Sequence, residues 1–70
     1  IGDHSHIAPG VTISGGVEIG ENSFIGAGSV IKHGVKIGKN CLVGAGSLII
    51  KDVLDGNSVK GAPAKVYEKK

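Results

Sequence analysis

Seventy residues with a formal net charge of +2, one cysteine, one Phe, one Tyr and no Trp leave room for a single domain. The lone Cys41 excludes an internal disulfide, and the mild charge without interleaved aromatics gives no support for general nucleic-acid binding. No apolar run is long enough for a membrane span or a secretory signal, which favours the cytosol and no membrane partner.

From its first residue the chain repeats one six-residue phrase nine times. The first positions are Ile1, Ile7, Ile13, Ile19, Ile25, Ile31, Ile37, Val43 and Ile49, all β-branched aliphatics. The fifth positions are Ser5, Val11, Val17, Ser23, Ser29, Val35, Cys41, Ser47 and Val53, all small or Val. A fixed short period of this kind is the signature of a repeat architecture, here a parallel β-helix. A longer period lies over it. The hexads at Ile1, Ile19 and Ile37 read IGDHSH, IGENSF and IGKNCL; the next set reads IAPGVT, IGAGSV and VGAGSL; the third reads ISGGVE, IKHGVK and IIKDVL. Three hexads therefore make one turn of a triangular coil. The expected fold is all-β, with three coils over residues 1–18, 19–36 and 37–54 stacked about 4.8 Å apart. Ile1 to Ile49 should point inward at every sixth residue.

The fourth positions place Gly10, Gly16, Gly28, Gly34, Gly46, Asn22 and Asn40 at the corners, where these residues accept a left-handed backbone cheaply. His4 and Asp52 fill the other two corners and should be less comfortable. A flexible glycine-rich linker would not keep its glycines in strict phase with buried-type aliphatics. Gly26-Ala27-Gly28 and Gly44-Ala45-Gly46 lack the strand–turn–helix context of a phosphate loop and read as corners. Cys41, stacked under Ser23 and Ser5, reads as a small core filler.

Asp55, Gly56 and Asn57 interrupt the aliphatic phase, so residues 55–70 should form a C-terminal capping tail. Val59 should supply one more inward position before an extended segment through Pro63 covers the lower end. At the other end Ile1-Gly2 opens in phase with no capping unit, as the C-terminal piece of a longer protein would. So short a chain buries too little surface for a solitary monomer, so association about an axis parallel to the prism, as a homotrimer, is expected.

Three histidines are the candidates for chemistry near neutral pH. His4 and His33 fall at corners and read as solvated turn residues. His6 stacks above Phe24 and Leu42, which suits contact with a ligand at a subunit seam or simple interface packing. A metal site of the γ-carbonic-anhydrase kind would need histidines from two subunits and an acidic second shell that the sequence does not offer, so no metal is expected. No nucleophile–base–acid set appears, and no face carries the outward Thr ladder of an ice-binding helix. Pro9, Ala27 and Ala45 stack along one edge and leave a shallow groove for a thin, extended ligand arm.

The hexads resemble the left-handed β-helix of the hexapeptide-repeat acyltransferase superfamily, and the hand is taken from that resemblance. Ile1-Gly2-Asp3-His4-Ser5-His6-Ile7-Ala8-Pro9-Gly10, followed by Ser14-Gly15-Gly16-Val17-Glu18-Ile19-Gly20, is similar to the sialic acid O-acetyltransferase type. The bacterial UDP-4-amino-sugar N-acetyltransferases belong to the same group. Val59-Lys60-Gly61-Ala62-Pro63-Ala64-Lys65-Val66 resembles the Gly-x-Pro-Ala-Lys ending common across the superfamily.

The resemblance implies an acetyl-CoA-dependent transferase acting on an amino or hydroxyl group of a sugar or nucleotide sugar. It implies that His6 meets the acetyl group. Gly15, Ala27 and Ala45 would line the pantetheine arm between adjacent subunits, with Lys60 and Lys65 meeting the nucleotide phosphates. It places the catalytic histidine base, and the domain that binds the sugar, upstream of Ile1, so this stretch alone should be inactive or nearly so. Two other classes stay open at the sequence level: a purely structural trimerisation β-helix and a γ-carbonic-anhydrase-like hydratase.

Overall fold

Every sixth residue turns inward because three short faces meet at tight corners, and those corners are where the sequence supplies Gly and Asn. The computed structural model describes residues 2–69. Ile1, expected at the first inward position, lies outside the described residues. The elements are β1 (His6–Ile7), β2 (Thr12–Ile13), β3 (Glu18–Ile19), β4 (Phe24–Ile25), β5 (Val30–Ile31), β6 (Lys36–Ile37), β7 (Leu42–Val43), β8 (Leu48–Ile49), β9 (Asn57–Gly61) and β10 (Ala64–Lys69). The first face stacks β1-β4-β7-β9-β10, the second β2-β5-β8 and the third β3-β6. Coil-to-coil pairing is parallel, with His6 over Phe24, Phe24 over Leu42, Ile13 over Ile31 and Ile31 over Ile49. Among the described residues no helix is long and apolar enough to cross a membrane.

All seven expected corners have positive φ, from 55° at Asn40 to 78° at Gly10 and Gly34. His4 adopts the same conformation at 59°, a strain that Gly or Asn would reduce. Asp52 does not, and the reason is a change of phase. Stacked partners are eighteen residues apart through the Ile31–Ile49 pair, then sixteen apart at Ile37–Val53 and Val43–Val59. Two residues fewer carry the third face to the next corner, which is taken by Gly56 at φ 78°. The freed carboxylates serve as backbone caps. Asp52 Oδ1 accepts from Lys36 N at 2.9 Å and Asp55 Oδ1 from Lys39 N at 2.8 Å.

The core is a column of Ile19, Ile25, Ile31, Ile37, Val43, Ile49, Val53 and Val59, all buried. Ile7 is half-buried and Ile13 is 37 % exposed, since the first coil has a neighbour on one side only. Hydroxyls inside the prism satisfy the backbone around them. Ser5 and Ser23 donate to the carbonyls of Gly20 and Gly38 at 2.7 Å, and Ser29 and Ser47 to that of Gly44 at 3.1 and 2.6 Å. The Cys41 thiol fills the corresponding place and reaches the Leu54 carbonyl at 3.1 Å. Buried polar atoms so paired avoid the desolvation penalty of an unmade bond.

The tail is a hairpin rather than an extended cover. β9 pairs parallel with β7, and β10 returns antiparallel to β9, so the first face gains two strands. Val59 is buried and Ala64 packs on the core. A register irregularity between Val66 and Glu68, with Lys65 exposed beside it, blunts β10 as a sheet edge. Deleting residues 60–70 should uncover β9 and the apolar lower end, so light scattering is expected to rise at equal concentration; unchanged solubility would contradict this role.

The outer surface is uneven. The third face and the edge it shares with the first carry the ion pairs Glu18–Lys36 and Glu21–Lys39, each at 3.8 Å. Both are solvent-exposed and worth at most about 1 kcal/mol. The first and second faces instead present Phe24, Leu42, Val30 and Ile50 to solvent, each about 40 % exposed. The third face is not purely charged, because Leu54, where the last turn shortens, is 72 % exposed.

Candidate functional site

The edge between the first and second faces is built of the smallest side chains in the fold. Pro9, Ala27 and Ala45 occupy it in successive coils, joined by Gly28 N to Pro9 O at 3.2 Å and Gly46 N to Ala27 O at 2.8 Å. Ala8, Gly26 and Gly44 form the adjoining column of the first face. The coils approach so closely there that a Cβ on Gly26 would lie 2.5 Å from Ala45 N. On one side rises the ladder His6, Phe24, Leu42, and on the other Thr12, Val30, Leu48. Pro9, Ala27 and Ala45, all exposed, thus lie between two ladders of larger side chains, a shallow trough in side-chain size.

At the upper end of the first ridge His6 lies flat on Phe24, with ring centroids 4.9 Å apart and planes within 6°. Stacking of this kind fixes the imidazole plane. At the lower end Lys60 stacks beneath Gly44; a Cβ on Gly44 would sit 3.1 Å from that of Lys60. Lys65 faces Lys60 across the hairpin, and the Lys60 ammonium lies 4.7 Å from the centre of the Tyr67 ring. The arrangement offers an imidazole ring at one end, a strip of small apolar side chains, and positive charge at the other.

The structure thus brings His6, Ala27, Ala45, Lys60 and Lys65 to the first face and its following edge. Gly15 is not with them. It sits at the next corner, where a Cβ would lie 3.5 Å from His33 Nδ1, so the Gly15 carbonyl accepts from Gly34 N at 3.0 Å on a different edge of the prism. His4 lies at the edge between the third and first faces. The three histidines are therefore on separate sides, and among the described residues no three His, Cys, Asp or Glu side chains gather in reach of one metal ion. Tyr67 escaped the sequence reading because nothing in the hexad pattern foretold a hairpin. A surface depression of about 730 Å³ lies on the third face, where the last turn shortens, and is lined by Glu18, Lys36, Asp52, Leu54 and Asp55 among others. It holds no His, Ser, Cys or Tyr, and its charged groups are the ion-paired Glu18, Lys36 and Lys39 and the backbone-capping Asp52 and Asp55.

Residues 16–51 match the family described as bacterial transferase hexapeptide (six repeats). The acetyltransferase domain of PglB from Neisseria gonorrhoeae FA1090, solved in complex with acetyl coenzyme A, is 42% identical at a TM-score of 0.87, over 89% of this chain and 30% of that one. PerB from Caulobacter crescentus, solved with CoA and GDP-perosamine, is 37% identical at a TM-score of 0.94, over 96% of this chain and 32% of that one. A maltose O-acetyltransferase from Clostridium difficile 630 is 32% identical at a TM-score of 0.91, over 96% of this chain and 46% of that one. This chain spans less than half the length of each. No curated protein sequence matches it. These neighbours are left-handed β-helices, and superposition this close gives the present coils the same hand, against the right-handed rule for ordinary crossovers.

Proposed function

The chain belongs to the bacterial hexapeptide transferase family, and on that premise we propose that it is the acetyl-CoA-binding β-helix of a cytoplasmic acetyltransferase acting on a sugar or nucleotide sugar. The observation that carries the proposal is the trough itself: small residues from Pro9 to Ala45, with His6 at one end and the Lys60–Lys65 pair at the other. The 42% identity to a domain solved with acetyl coenzyme A supports the same ligand here. The pantetheine arm lies along Ala27 and Ala45, the thioester beside His6, and the nucleotide phosphates at the lysines. Gly15, on the next edge, reaches that ligand only if a neighbouring subunit brings the edge that ends its own second face to the cleft.

That cleft requires a homotrimer. The apolar ladders of the first and second faces become its walls, while the ion-paired third face remains in water. Sedimentation equilibrium at micromolar concentration is expected to give a trimer, and a stable folded monomer would contradict the assembly.

The chemistry follows from the ends of the trough. An amine or hydroxyl of the acceptor attacks the thioester carbonyl carbon and loses its proton to a base, which we place with the acceptor-binding domain in sequence upstream of Ile1. The tetrahedral intermediate then expels the CoA thiolate, which takes up a proton. His6, held in plane by Phe24, offers a ring N–H to the acetyl oxygen as negative charge develops there. His6→Ala should therefore weaken acetyl-CoA by about threefold to tenfold while leaving free CoA within twofold, since one hydrogen bond is worth about 0.5–1.5 kcal/mol. Calorimetry with both ligands checks this, and equal loss for the two would remove His6 from the acetyl end.

A further inference from the structure

Two lysines face one another where the hairpin closes the first face. Lys65 is the direct partner of Lys60 in the antiparallel register, so both side chains stand on the same side of the sheet. Like charges in that position oppose the pairing of their strands. The described residues hold two ion pairs, Glu18–Lys36 and Glu21–Lys39, and neither includes Lys60 or Lys65. What holds the Lys60 ammonium is the Tyr67 ring, 4.7 Å away. A cation–π contact fixes a charge in place without neutralising it. Two positive charges are thereby concentrated at the foot of the trough, in an arrangement that an anion would relieve.

We propose that Tyr67 is a positioning residue that holds Lys60 opposite Lys65 as a two-lysine clamp for the diphosphate of acetyl-CoA, and not for its 3′-phosphate. The proposal rests on the acetyl-CoA reading above, and the choice of phosphate rests on height in the stack. His6 lies in β1 and Lys60 in β9, three strand spacings lower on the same face. At about 4.8 Å per spacing this is ~14 Å. An extended pantetheine arm spans about as much as four backbone residues at ~3.5 Å each. With the thioester beside His6, the group that arrives at Lys60 is the diphosphate joined directly to that arm. The 3′-phosphate, beyond the ribose, falls outside the clamp.

The test is calorimetric titration of the protein with acetyl-CoA, acetyl-3′-dephospho-CoA and acetyl-pantetheine. Lys60→Gln and Lys65→Gln should each weaken the first two ligands by about tenfold, the loss of one charge-assisted hydrogen bond, and leave acetyl-pantetheine unchanged. Tyr67→Leu should weaken the same two by about threefold, and Tyr67→Phe, which keeps the ring, should bind as the wild type does. Weakening of acetyl-CoA alone would place the lysines on the 3′-phosphate and overturn the assignment. So would lysine variants with no effect, or a Tyr67→Leu loss shared by acetyl-pantetheine, which would make the hairpin merely structural. Wild-type protein that binds none of the three overturns the cofactor reading itself, an outcome distinct from failure of the clamp.

Discussion

Gly26→Ala is expected to lower the melting temperature by about 12 °C or more at fixed protein concentration. The added Cβ would lie 2.5 Å from Ala45 N and 2.8 Å from Ala45 Cα. Both are backbone atoms of the adjacent coil, so no side-chain rotation can relieve the contact, and the coils must separate along the first face. Overpacking of this kind costs about 3 kcal/mol at the upper end of its usual range, and each kcal/mol shifts a domain of this size by about 4–8 °C. Gly28→Ala is the informative control. Gly28 has φ 73° but nothing within 4 Å of an added Cβ, so its substitution strains the corner by only about 1 kcal/mol. Thermal melts of the two variants should therefore rank Gly26 above Gly28. The reverse order would mean that corner conformation, and not coil spacing, sets the stability of the prism.

Ala45→Trp is expected to abolish acetyl-CoA binding while the fold and the assembly survive. Ala45 is exposed at the edge, so an indole there meets no core atom and stability should stay within about 0.5 kcal/mol. The indole would nevertheless fill the trough between the Leu42 and Leu48 ridges, where the pantetheine arm must pass. A loss of at least about a hundredfold in affinity, ~2.7 kcal/mol, follows from blocking rather than trimming the channel. Ala27→Trp, one coil higher, should behave alike. Sedimentation of each variant at the wild-type mass separates this outcome from misassembly, and wild-type affinity in either variant would remove the arm from this edge.

Much of the architecture was legible because the repeat couples each residue to a fixed place. The eighteen-residue period was enough to stack His6 on Phe24 and Leu42, to align Pro9, Ala27 and Ala45, and to put Gly and Asn at left-handed corners. The same period should have separated Gly15 from Ala27 and Ala45, since Gly15 shares their hexad position but stacks with His33. What the repeat could not show was its own failure. Val53 and Val59 fall in fifth positions and so looked in phase, yet a two-residue shortening turns both into partners of first-position residues. The signal was Asp55, a carboxylate at a first position where every earlier hexad has Ile or Val. Beyond it, pairing between β9 and β10 is decided by hairpin register rather than periodicity, and so the contact between Lys60 and Tyr67 had no trace in the hexads.

The most direct test of the acetyl-CoA groove is calorimetric titration of the wild-type assembly with acetyl-CoA, carried to millimolar ligand and repeated on Ala45→Trp. Saturable binding at one site per subunit, lost in the variant, is the predicted result. No heat of binding in the wild type, from a protein that is folded and trimeric, would contradict the account and leave the β-helix as a structural trimerisation module.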